Sequence, residues 1–309
     1  RALRDLDRVG AVALTPADPL YPSTFRVLHD PPFLLFAAGD LALLDRTSIA
    51  VVGTRSPTVY GRSAAELLSR DLALAGLAIV SGVARGIDTA AHRGALAAEG
   101  ATVGVLGHAI EQVYPPENRS LFRTIREKGL LLTEYPPGEG PRAGNFPRRN
   151  RLISALCEAV LVVEMGHRSG AQHTVSFALE LGREVMAVPG PIASTMSEGT
   201  NQLIRDGARL ITSATDVIEE LRGVGAALPP TAPPPAGGSS PPSDTLFGGI
   251  DSVDASEIRL LESLGPVPLQ FDEVVASAGL TTGSALTMLL ELELRGLVRA
   301  FPGMRFARL

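Results

Sequence analysis

SIAVVGTRSPTVYGRSAAELLSRDLALAGLAIVSGVARGIDTAAHRGALAAEGATVGV, residues 48–105, is the stretch that decides the fold. Ser48-Ile49-Ala50-Val51-Val52 is a short apolar run that ends at a glycine. A helix-like segment follows over 63–75, and a second run, Leu77-Ala78-Ile79-Val80, enters a turn with two glycines. Another helix-like segment, 87–99, leads to a third run over 102–106. These runs are continuously apolar rather than alternating, which suits strands covered on both faces. The same rhythm continues with runs at 130–132, 159–163, 184–188 and 209–211. Helices are predicted between them over 119–128, 171–181 and 202–206.

Strands and helices that alternate at this spacing predict an α/β, Rossmann-like doubly wound, mostly parallel sheet over 48–222. Residues 1–47 read as a lead-in packed on that sheet, with turns at 18–22 and an edge strand near 33–36. From 223 to 252 the chain reads GVGAALPPTAPPPAGGSSPPSDTLFGGIDS, a composition that buries no core and marks a linker. The tail, 253–309, carries helical patterns at 255–264, 272–278 (closed by Gly279) and 281–295. Two short runs then flank Pro302-Gly303. Three helices and a hairpin predict a small C-terminal winged helix.

Composition excludes several functions. The single cysteine, Cys157, leaves no disulfide framework and no cysteine-based zinc cluster. The histidines at 29, 92, 108, 167 and 173 have no paired metal-ligand spacing, so no metal or other cofactor is expected. Lys128 is the only lysine and does not stand in a GK[ST] motif, so no P-loop exists. No apolar run reaches the roughly 18 residues of a membrane span, and the start has no signal-peptide pattern. A cytoplasmic chain with no membrane partner is the expectation. The formal net charge of −5 requires any nucleic-acid site to be a local concentration of charge.

Ligands of parallel sheets bind beyond the carboxyl ends of the strands, so the loops there carry the candidates. Gly53-Thr54-Arg55 follows the first run, with an arginine where a dinucleotide fold needs a glycine for close approach. Ser81-Gly82 opens the second turn, ahead of a helix whose free N–H groups favour an anion. Asp88 and His92 stand four apart there and read as a polar pair that structures the turn. The segment Pro141–Arg151 carries Arg142, Arg148, Arg149 and Arg151, with no acidic residue between Glu139 and Glu158. Phe146 stands among them and precedes a proline, which biases it toward an extended loop. A flat ring flanked by guanidiniums suits single-stranded nucleic acid, whose bases stack and whose phosphates pair. Arg168, Ser169 and Gly170 add a cation and another helix start.

The motifs VVGTRSPTVYG, SGVARGIDTAAHRGAL, YPPEN (114–118), FPRRNRLI, VVEMGHRSGAQHT, AVPG (187–190) and GTNQLIRDGARLI resemble, in order and spacing, the DNA-processing protein A family (DprA, also called Smf). The tail is similar to that family's winged helix. The resemblance implies a homodimeric, non-enzymatic single-stranded DNA-binding protein of recombination and natural transformation. It would protect the incoming strand and help load a RecA-type recombinase against single-strand-binding protein. By motif, Gly53 and Arg55, Ser81 and Gly82, Phe146, Arg149, Asn150 and Arg151, and Ser169 and Gly170 would surround the strand. Ala143 and Pro116 occupy positions that are often basic in the family, and Arg142 stands beside the first.

Two enzymatic readings compete. A nucleotide-cleaving phosphoribohydrolase is faintly echoed by AVPG and Glu198, but Glu198 has no clear partner in the sequence. A nicotinamide oxidoreductase lacks its GxGxxG. The winged helix carries Glu291 and Glu293 on its third helix, which favours a protein-binding or regulatory role over duplex binding. Leu203, Ile204 and Leu210, with Ile211, crowd into one short stretch and predict an apolar dimer interface.

Overall fold

Each apolar run of residues 48–211 is a strand of one nine-stranded sheet. The strands are β1 (Val12–Leu14), β2 (Leu35–Gly39), β3 (Ser48–Val52), β4 (Ala78–Ser81), β5 (Thr102–Val105), β6 (Leu130–Thr133), β7 (Ala159–Val162), β8 (Glu184–Ala187) and β9 (Arg209–Leu210). Their spatial order is β1-β2-β6-β5-β4-β3-β7-β8-β9. Only the β1–β2 and β2–β6 pairings are antiparallel. The computed structural model describes Leu6, residues 10–167 and 169–226, and, toward the C-terminus, 260–261, 263–264, 269–294, 297–301 and 305–308. Contacts divide the chain into two units, Arg1–Pro234 and Pro235–Leu309.

The helices of the first unit are α1 (Val59–Leu74), α2 (Ile87–Ala97), α3 (Arg119–Lys128), α4 (Asn145–Leu156), α5 (Ala171–Glu180), α6 (Glu198–Arg205) and α7 (Ala214–Gly223). They explain why the strands are apolar throughout. Ile49, Val51, Ile79 and Leu161 pack with Leu68 and Leu72 of α1, Ile87 of α2 and Val217 and Leu221 of α7. Their alternates Ala50, Val52, Val80 and Val162 pack on the other face with Leu152 and Ile153 of α4 and Val175 and Ala178 of α5. The central strands β3, β4 and β7 therefore feed two cores, and a polar residue on either of their faces would lose its water. The chain leaves β3 toward β4 on one side and returns as β7 on the other. That divergence opens a crevice beyond the strand ends.

Several expectations need correction. The segment from Asn145 is a helix, not an extended loop, and Phe146 lies in its first turn. Pro147 stands two residues after the first helical position, where its missing N–H has no intrahelical acceptor, so it does not break the helix. α1 starts four residues before the expected 63, because Thr58 caps it through the Gly61 N–H. Likewise α6 starts at Glu198 rather than 202. The strand expected at the edge near 33–36 is β2, an internal strand, with β1 outside it. Helix α7 was unread; Ser213 and Asp216 form a reciprocal capping box at its start, and it runs into the expected linker's first residue.

In the second unit α8 (Phe271–Ala278) ends at Gly279, whose φ of 64° is the left-handed closure. Strand β10 (Leu269–Gln270) precedes α8, and β11 (Val298–Phe301) and β12 (Arg305–Arg308) follow α9 (Thr282–Leu294); the three strands form a sheet in the order β10-β12-β11. Leu260, Val274, Leu289, Val298 and Phe306 share its core. Most of the helix expected at 255–264, and the Pro302-Gly303 turn, lie outside the described residues. No helix among the described residues is long and apolar enough to cross a membrane.

Candidate nucleic-acid interface

The rim of the crevice is built by a loop that permits little substitution. A Cβ on Gly53 would lie 2.6 Å from Ile87 Cγ1 and 2.7 Å from the Glu164 carbonyl oxygen. Thr54 N–H donates to that carbonyl at 2.7 Å. The buried Glu164 carboxylate accepts from Thr58 N–H at 2.8 Å and from Thr58 Oγ1 at 2.6 Å, at the start of α1, where negative charge is favoured. These bonds fasten 53–58 at both ends and leave Arg55 exposed at the rim. Its guanidinium carbon stands 5.7 Å from the Phe146 ring centroid, within cation–π range.

Phe146 is half-buried, with its ring edge in a notch at Gly107. A Cβ there would meet Phe146 Cδ1 at 2.8 Å. Tyr114 flanks the ring, with centroids 5.4 Å apart and planes inclined by 32°. Behind Tyr114 lies the buried His108, whose imidazole burial holds below its ordinary pKa and so keeps neutral.

Beneath the rim, the second turn is tied to α4. Asp88 accepts from Gly82 N–H at 3.1 Å and Ala84 N–H at 3.3 Å. Arg149 donates to the Gly82 carbonyl at 2.8 Å and to the Val105 carbonyl. A Cβ on Gly82 would lie 2.4 Å from Arg149 Nη2, so the glycine is the space the guanidinium needs. Burial lowers the Arg149 pKa to about 10, opposed by the charge of Asp88. Burial raises Asp88 in turn, opposed by Arg149. The two buried charges favour each other without a direct ion pair and are offset by carbonyls and amides, a structural buckle that also shows one face to the crevice.

Asp88 and His92 do not pair with each other. Thr102 Oγ1 donates its proton to the Ile79 carbonyl at 2.9 Å, so the 2.7 Å contact to His92 Nδ1 requires the imidazole to be the donor. Burial, reinforced by the Arg149 charge, lowers His92 to about 3.

The crevice holds a cavity of about 360 Å³ lined by Gly53, Arg55, Phe146, Arg149, Asn150, Ser169 and Gly170, with Ala84, Asp88 and Thr174 among its other walls. Gly82 opens instead on a smaller recess beyond Phe146, beside Arg55, Arg85, Tyr114 and Pro115. Asn150 Nδ2 donates to the Gly170 carbonyl at 3.4 Å, and Ser169 Oγ accepts from Ala171 N–H at 3.3 Å at the start of α5.

Other expected residues go elsewhere. Ser81 is buried and donates to the Val51 carbonyl at 2.7 Å, so it joins strands and faces no ligand. Arg151 is buried in a bidentate pair with Glu134, at 2.9 and 2.6 Å. Arg148 pairs with Asp30 at 2.8 Å and Arg142 with Glu139 at 3.1 Å, both outside the cavity wall. The sequence between 139 and 158 contains no acid, but folding brings acids to it from Asp30 and Glu134. Arg85 is likewise paired, with Glu117. Among the described residues, Arg55 is the rim arginine without an acidic partner. Arg168 lies outside the described residues.

Tyr114, Gly107 and Glu164 escaped the sequence reading as site residues. Tyr114 had a signal, since it opens the YPPEN motif. The roles of Gly107 and Glu164 are visible only in three dimensions. Glu198 lines a separate cavity of about 650 Å³ with Leu203 and Arg205. Leu203 and Ile204 are half-buried, and Leu210 on the edge strand β9 is 51% exposed. Ile211, expected in the same apolar patch, is completely buried in the core.

Comparison with known proteins gives a consistent result. Residues 12–222 match the family model described as DNA recombination-mediator protein A, and residues 229–304 match the DprA winged helix domain. Protein Smf of Escherichia coli is 40% identical over 294 residues, covering 94% of this chain and 76% of that protein. DNA processing protein DprA of Bacillus subtilis is 43% identical over 202 residues, 65% of this chain and 68% of the relative. The crystal structure of DprA from Streptococcus pneumoniae superposes with a TM-score of 0.66 at 40% identity, covering 70% of this chain and 77% of that one. A structure reporting the single-stranded DNA binding mode of DNA processing protein A from Helicobacter pylori has a TM-score of 0.63 at 32% identity, covering 69% and 96%.

Proposed function

This chain belongs to the DNA recombination-mediator protein A family, and from that premise we propose that its first unit binds single-stranded DNA in the crevice beyond β3. The observation that carries the reading is the pairing at the rim: an arginine with no acidic partner over a half-buried phenylalanine, above a polar-walled cavity. A base stacks on the ring while Arg55 meets a phosphate, a combination that tolerates any base. Gly53, Asn150, Ser169 and Gly170 line the path, and Arg149 holds its floor. Arg142 and Arg148 contribute only when a phosphate displaces their carboxylates, and Arg168 belongs to the same contact set. The relative from Helicobacter pylori, whose structure concerns single-stranded DNA, supports this reading.

The protein acts as a cytoplasmic recombination mediator that protects incoming strands in transformation and repair. It passes them to a RecA-type recombinase in competition with single-strand-binding protein. It works as a homodimer joined through Leu203, Ile204 and Leu210, so that one strand crosses two crevices and gains avidity. It has no catalytic activity. Among the described residues, the one carboxylate in the crevice wall, Asp88, is committed to turn amides, and Glu198 of the phosphoribohydrolase reading opens on the other cavity. The winged helix serves protein contacts or regulation. A gel shift with single-stranded and blunt duplex oligonucleotides, without cofactors, tests the central reading. Preference for the single strand supports it, and equal or tighter duplex binding refutes it. For the dimer, Ile204→Glu should sediment as a folded monomer with weakened DNA binding; a folded dimer removes that interface.

A further inference from the structure

We infer that Tyr114 is a second base-stacking residue, so that the crevice engages two successive nucleotides, one on each side of Phe146. The inference rests on the single-strand reading above and deepens it. Arg55 and Phe146 line both the main cavity and the smaller recess, so they form a partition rather than the end wall of one pocket. Tyr114 forms the far side of that recess with Pro115 and Arg85. The recess is only about 60 Å³, too small to enclose a base, so a base must lie on the ring with its edge in the recess.

Tyr114 is placed for that role. As a residue it is 42% exposed, unlike a core aromatic, although its ring contacts hold it in place. Phe146 packs on one side at 5.4 Å and His108 lies against it edge-on at 6.4 Å. His108 is itself stacked on the buried Phe122, with centroids 6.4 Å apart. This row fixes the tyrosine before any ligand arrives, so stacking costs little side-chain entropy. The rings of the exposed Tyr114 and the half-buried Phe146 are inclined by 32°, so bases lying on both are tilted apart and cannot keep duplex stacking. Arg55 at the partition then meets the phosphate between the two nucleotides. A duplex, whose bases are paired and stacked, cannot offer two splayed faces, so this second site sharpens discrimination for single strands.

The test uses the full chain and a thymidine oligonucleotide carrying 5-iodouracil, which photocrosslinks to stacked aromatic rings. Crosslinked peptides are identified by mass spectrometry, and affinity is measured by fluorescence anisotropy. Crosslinks are expected at both Tyr114 and Phe146. Tyr114→Phe should keep affinity and crosslink, whereas Tyr114→Leu should raise Kd roughly five- to a hundredfold, the range of one base stack. A tyrosine that merely props Phe146 would lower affinity when replaced but would not crosslink. Crosslinking at Phe146 alone, or unchanged affinity in Tyr114→Leu, overturns the inference and leaves the single-strand reading standing. Failure of the unaltered chain to bind the oligonucleotide overturns both.

Discussion

Arg149 and Arg55 meet at the same crevice, yet only one of them is free. Arg149 is buried, bonded to two carbonyls and faced by Asp88. Arg55 is exposed, over an aromatic ring, with no acidic partner among the described residues. One guanidinium holds the floor together, and under the proposed reading the other is open to a phosphate. The difference teaches that a run of arginines in a sequence is not a run of available charges. The chain dedicates carboxylates from distant segments to Arg148 and Arg151 and keeps Arg55 clear.

The sharpest way to break the contrast is Arg149→Met. Removing the buried charge leaves Asp88 and the Gly82 and Val105 carbonyls uncompensated and should cost about 3–5 kcal/mol. Calorimetry should then show Tm lower by roughly 10 °C. An unchanged Tm with lost DNA binding would move Arg149 to the ligand side.

The buried His92 gives a related test by pH. Its folded pKa, about 3, lies below its ordinary 6.5, so folding favours the neutral ring. That contribution is complete above pH 6.5 and is lost as pH falls from 6.5 toward 3, because the unfolded chain takes up the proton first. In His92→Gln the unfolding free energy should fall less steeply over that window. An identical slope would show that His92 does not govern it.

Next in size is Phe146→Ala, which should weaken single-strand binding by about 1–3 kcal/mol. If Tm falls while affinity holds, the ring belongs to the core. Arg55→Ala should weaken binding to all sequences alike and reduce the slope of log K against log salt by about 0.7. An unchanged slope would mean that the free arginine meets no phosphate. Smallest is Asp30→Asn, which releases Arg148 from an exposed pair. Affinity should rise at most about fivefold at low salt, and weaker binding would count against acids masking the rim.

The contrast also marks what was legible in the sequence. Strands β3 to β8 could be read because they are covered on both faces, and a continuous run such as Ala159–Val162 has few other uses. Helix α4 was not, because Phe146 before Pro147 favours extended backbone locally, while Leu152 and Ile153 bury against the sheet and decide the outcome. Gly53, Arg55 and Phe146 could be placed at the crevice from strand-end logic. The commitments of Arg148 and Arg151 could not, since their partners Asp30 and Glu134 are far away in the chain. Tyr114 stands in the YPPEN motif, but its place beside Phe146, whose ring sits against Gly107, is a packing detail with no local signature.

In the proposed function single-stranded DNA is held at the Arg55–Phe146 rim. The most direct measurement is fluorescence anisotropy of the full chain with single-stranded and blunt duplex oligonucleotides across a salt series, repeated for Phe146→Ala. The account expects tighter binding to the single strand at every salt concentration, and a preference that narrows when the ring is removed. Duplex binding as tight as single-strand binding, or a preference untouched by Phe146→Ala, would contradict it.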